Sequence, residues 1–163
     1  MADLKRLRIF MQDHLAASTA GLELARRARG ANEGTNYGQP LARLADEIEA
    51  DRGALEAMLA DLDFGPDRAK NVGAWAGEKL GRLKLNGQVK GYSPLSRVLE
   101  LEGLTVGIGA KLSLWRILLE VAAEEPRLDA DRLRRLIERG EEQRRTVEEL
   151  RTLAAREAFL ASA

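Results

Sequence analysis

The stretch EIEADRGALEAML, residues 47–59, carries the reading of the whole chain. Ile48, Leu55 and Met58 recur at steps of three and four, the spacing of one helix face, and strand-like alternation is absent. Yet Asp51 stands on the same stripe, continuing Leu44 and Ile48 toward Leu55. An acid among core residues signals a metal site, an internal ion pair, or the wet edge of the core.

Outward from this segment the same periodicity holds almost everywhere. A first helix is expected over residues 3–30, with Leu4, Leu7, Met11, Leu15, Leu22 and Ala25 on or beside one face. GANEGTNYGQP, residues 30–40, is dense in glycine and asparagine and reads as a loop. Pro40 suits the first turn of the second helix, where a missing N–H costs nothing. That helix ends near DFGPD, residues 63–67. A shorter helix is expected over residues 67–84. Ser93 and Pro94 open the next, the serine as cap and the proline with its φ preset. It runs to Glu125, where Pro126 stops it. The last helix spans residues 129–161. Four long helices and one short one, with short loops inside each pair and a long crossover between the pairs, give an all-α fold. The expected architecture is a ferritin-like four-helix bundle of two antiparallel hairpins, in one domain over residues 1–163.

Four segments, QDHLAASTAGLELARRA, EIEADRGALEAML, AWAGEKLGRLK and PLSRVLELEGLTVGIGAKLSLW, resemble an uncharacterised bacterial family of ferritin-like four-helix bundles. The resemblance covers most of residues 12–115. It implies the same fold and no settled activity.

Composition narrows the function classes. The chain has 163 residues, and its 26 basic and 26 acidic side chains cancel, so no global field draws nucleic acid or an anionic membrane. The absence of cysteine removes disulfides, thiolate metal sites and cysteine nucleophiles. No apolar window approaches a membrane span, and the first residues form no signal peptide, so a soluble, cytoplasmic protein is expected. Trp75 beside Lys79, Arg82 and Lys84 is read as core, since neutral charge argues against a nucleic-acid platform. His14 and Ser18 form an i,i+4 pair without the sharp turn that a catalytic nucleophile needs.

Ferritin-like di-metal sites take a Glu from each of two helices and a Glu-x-x-His from each of the others. Here Glu49-Ala50-Asp51-Arg52 and Glu138-Arg139-Gly140-Glu141 lack the histidine. The one histidine, His14, lies on the first helix, so a standard di-iron centre is not expected. The favoured reading is a structural polar core of Asp51, Arg52, Glu102, Arg116, Gln143 and Arg144, in which the arginines satisfy Asp51 and Glu102. The alternative is a metal-binding or oxidoreductase bundle with a site around His14, Asp51 and Glu102.

Glycines supply the remaining signal. Gly73, Gly77 and Gly81 stack into one ridge, Gly103 and Gly107 into another. Each interior glycine costs about 1 kcal/mol relative to alanine, which points to close helix packing through these ridges or to a ligand against bare backbone. The heavily charged last helix is either a solvated face or a dimer surface. The combined expectation is a non-enzymatic bundle without cofactor, acting through protein contacts, as a dimer, without nucleic-acid or membrane partners.

Overall fold

The computed structural model describes residues 2–65 and 92–160, which form four α-helices and no strand. They are α1 (Leu4–Ala31), α2 (Gly38–Asp61), α3 (Pro94–Val121) and α4 (Ala130–Phe159). The short helix expected at 67–84, and with it Gly73, Gly77, Gly81 and Trp75, lies outside the described residues.

Local chemistry sets the helix ends. Asp3 caps α1 by accepting the Arg6 N–H at 3.1 Å. Ser93 accepts the Ser96 N–H at 3.1 Å and the two serines close a capping box at the start of α3. Asp129 accepts the N–H groups of Asp131 and Arg132, both at 2.9 Å, and opens α4. Two ends differ from expectation. α2 begins at Gly38, two residues before Pro40, and proline still falls in the first turn. α3 stops at Val121, four residues short of Glu125. Pro126 disfavours helical geometry at Glu125, whose carboxylate instead grips Arg127 through its Nε and Nη2, each at 2.9 Å. That guanidinium holds the Glu125 carboxyl down to about 2.

Cross-helix pairs fix how the helices lie. Between α1 and α2, Arg26 meets Glu49 at 2.7 Å and Arg29 meets Asp46 at 3.2 Å, while Gln12 reaches the Gly65 carbonyl at 3.1 Å. Between α3 and α4, Arg97 meets Glu157 at 2.9 Å and Glu102 meets Arg151 at 3.8 Å. Between α1 and α3, Arg27 meets Glu100 at 2.8 Å. Between α1 and α2, and between α3 and α4, partner numbers fall along one helix as they rise along the other. α3 packs most extensively on α4, α1 on α2 and on α3, and α2 touches α4 over a smaller area.

The apolar interior is in two halves. One contains Leu24, Leu41, Leu44, Leu104, Ile108 and Val147; the other contains Met11, Leu55, Met58, Trp115, Leu118 and Leu133. On α2 the change comes between Ile48 and Ala54, and on α4 between Leu136 and Val147. Polar side chains occupy that level.

Two glycines in helix interiors mark tight contacts between helices among the described residues. A Cβ on Gly103 would lie 2.8 Å from Leu24 Cδ2, and one on Gly140 would lie 2.7 Å from Leu112 Cδ2. At Gly140, α4 receives a leucine of α3. At Gly107 no described residue comes within 4 Å of a Cβ, and the helix expected against it is outside the described residues.

Candidate functional site: a charged layer and the cavity beside it

Helical spacing turns Asp51 inward with Ile48 and Leu55, and it is 1% exposed. A buried carboxylate without partners is very costly. Three side chains answer this one. Arg139 of α4 donates to Oδ1 from Nε at 2.8 Å and again from Nη2. Lys111 of α3 donates its Nζ to Oδ2 and to the Gln143 Oε1. Gln143 Nε2 completes the set, donating to Oδ2 at 3.0 Å and to Glu47 Oε2 at 3.1 Å. Each Asp51 oxygen thus accepts two hydrogen bonds, which fills its capacity. Burial pulls the Lys111 ammonium below the ordinary lysine range, and the neighbouring Asp51 charge opposes that shift.

The partners differ from those expected. Arg52 pairs with Glu56 one turn along α2, Arg116 pairs with Glu141, and Arg144 meets Glu141 at 2.8 Å. None of these arginines reaches Asp51. Glu102 is one step past the buried Leu101, so the helix turns it to the outer face, where Arg151 stands 3.8 Å away. Only Asp51 and Gln143 of the expected polar core share this layer. Sequence reasoning missed Lys111 and Arg139, although both left a signal. Lys111 is the one cation in residues 98–115, and it continues the stripe Leu104, Ile108 toward Trp115. Arg139 falls between Leu136 and Gln143 at the same helical steps, its long stem bridging from the rim.

His14 stands elsewhere. Its ring meets Phe10 edge-on at 4.7 Å, and burial lowers its pKa, with Asp13 opposing. It lines a cavity of about 120 Å³ between α1, α2 and α3. The cavity exists because both facing helices run out of large side chains: α1 offers Ala17, Ser18 and Gly21, and α3 offers Gly103, Gly107 and Ala110. Asp51 and Lys111 close its floor and Trp115 part of its wall. Glu102 is not part of it. Among the described residues no group of three acids or imidazoles is placed to hold a metal ion.

A second polar cluster closes the end of the bundle where α1 turns into α2. Asn32, fully buried, donates to the Ala28 carbonyl and to Tyr92 Oη, both at 2.8 Å, and accepts from Arg97 Nε at 2.7 Å. Tyr92 Oη in turn donates a hydrogen bond to Glu100 Oε2 at 2.9 Å. The Arg97 guanidinium lies over the Tyr37 ring at 4.2 Å. Burial, with the Glu100 charge adding to it, pushes the Tyr92 hydroxyl up to about 12 against the opposing Asn32 bond.

Comparison with known protein families, curated proteins and solved structures finds no match to this chain. Among the described residues no helix is long and apolar enough to cross a membrane.

Proposed function

We propose that this chain is a non-enzymatic, ferritin-like bundle of two antiparallel hairpins that works through protein contacts in the cytoplasm, as a dimer, without a di-metal centre. One observation carries the reading: the mid-bundle carboxylate Asp51 has both oxygens taken by Lys111, Arg139 and Gln143. A cation entering there would meet two positive side chains and would have to displace them. The fold assignment is supported by the register of the cross-helix pairs. It is supported also by the position of two chain points: Gly65 lies beside Gln12 near the start of α1, and Tyr92 lies beside Asn32 just past its end. A single long crossover between two hairpins has this connectivity. The dimer finds support in apolar side chains left outward on α3, Val106 at 74% and Ile117 at 43% exposure.

Native mass measurement on untagged protein, with metal analysis of the same sample, tests both parts. The expected result is twice the 18.0 kDa chain mass and no stoichiometric transition metal. One equivalent of metal, lost in His14→Ala, would replace this reading with the metal-binding one. A purely monomeric mass would remove the dimer.

A further inference from the structure

A helix packed on one side ordinarily turns charge outward on the other, and α3 does so sparingly. Leu95, Val106 and Ile117 are exposed and stand eleven residues apart. Eleven residues make about three turns, so these side chains form one line along the helix. Exposed apolar residues scattered singly are normal, but a line of them marks a contact surface. Between them the same face carries Gly109, Ala110 and Ser113, all short and all exposed. A Cβ on Gly109 would meet no described atom within 4 Å, so the backbone there is open. Two charges flank the face, Glu102 seven residues before Gly109 and Arg116 seven after it. Fourteen residues are about four turns, which puts both on one flank.

We propose that this face is the contact between two copies of the chain, their α3 helices antiparallel across a two-fold axis at Gly109 and Ala110. This rests on the dimer reading above and adds which surface meets which. A two-fold contact must be self-complementary, because a residue before the axis meets one after it. Shape satisfies this. Val106 stands three residues before Gly109 and Ser113 three after Ala110, so the larger side chain of each copy lies over the short ones of the other. Charge satisfies it too. At equal distances from the axis, Glu102 of one copy comes level with Arg116 of the second. On that flank α4 already supplies Arg151 to Glu102 and Glu141 to Arg116. The order across the rim becomes Arg151, Glu102, Arg116, Glu141, alternating in sign. A parallel pair would instead set Glu102 against Glu102, a like-charge contact that complementary interfaces avoid.

The chain has no cysteine, so an introduced thiol is the only one present. Gly109→Cys places it at the axis, and mild oxidation should link two copies about tenfold faster, or more, than in Gly53→Cys, an exposed glycine of α2. Val106→Glu alters a side chain that the monomer's core does not use. It should weaken self-association, read by sedimentation equilibrium, by about tenfold or more. Glu102→Arg and Arg116→Glu should each weaken their own dimer by about fivefold, while an equimolar mixture of the two regains the parent affinity. A parent chain that sediments as a monomer overturns this contact and the dimer reading together. A parent dimer that Val106→Glu leaves equally tight, or equal linking rates in the two cysteine variants, overturns the contact alone. So does a mixture that associates no more tightly than its components.

Discussion

The described residues hold two buried polar clusters, and the group at the centre of each differs in charge. At mid-height the carboxylate of Asp51 sits at the centre, and two cations and an amide from other helices close around it. At the α1–α2 end the centre is the uncharged Asn32, ringed by Arg97, the buried Glu100 and the more exposed Arg27. Arg27 is 37% exposed in its side chain and Asp51 1%. A charge at the rim keeps part of its water; one at the centre must be answered wholly by protein. The mid-bundle layer therefore ties α2, α3 and α4 together with a large penalty for loss of its buried acid, while the end cluster tolerates loss of Arg27, its most exposed charge.

The strongest way to break this contrast is Asp51→Asn. It leaves Lys111 and Arg139 facing each other across the core, and breaking a buried pair costs about 3–5 kcal/mol. At about 2–4 °C per kcal/mol for a chain of this size, the melting midpoint read by circular dichroism should drop by about 10 °C or more. Replacing Asp51, Lys111 and Arg139 together with leucine or methionine should regain most of that loss, because the cost lies in the unanswered charge. If the triple variant is as unstable as the single one, the layer is held by shape and the comparison fails.

Asn32→Leu probes the neutral centre. It removes the acceptor of Arg97 and the donor to Tyr92, and about 2 kcal/mol is expected from chemical denaturation. The same cluster has an alkaline signature. The folded Tyr92 hydroxyl titrates near 12, above an ordinary tyrosine near 10 in the unfolded chain. The unfolded state thus loses this proton first, and the contribution is complete below pH 10 and disappears as pH rises toward 12. Tyr92→Phe should flatten that alkaline decline, and an unchanged pH profile would remove Tyr92 from the account. The smallest effect belongs to Glu102→Gln. Its carboxylate is 53% exposed, and exposed pairs contribute about 0–1 kcal/mol. A midpoint shift comparable with that of Asp51→Asn would show that the α3–α4 surface pair matters as much as the core one.

Much of the fold was legible because its causes are local. Ser93-Pro94 announces the start of α3, Asp129 the start of α4, and the apolar stripes name the inward faces within each helix. Asp51 was visible on its stripe for the same reason. Its partners were not. Arg52 is adjacent in sequence but turned 100° away, and it settles on Glu56. Lys111 and Arg139 lie 60 and 88 residues from Asp51, on helices whose rotation no local spacing fixes. Glu102 lies beside the buried positions Leu101 and Leu104 and not among them, a rotation that only the packing of α3 fixes.

Alone, the sequence determined that the described chain is helical, where one of its helices is capped, and that one acid faces inward. Tertiary structure decided which cations meet that acid, which glycines admit a leucine, and that the small faces of α1 and α3 leave a cavity. The physical reason is range. Hydrogen bonds along a helix join residues a few positions apart, whereas the partner of a buried charge depends on how separate helices are rotated and staggered, which is settled only when all four pack.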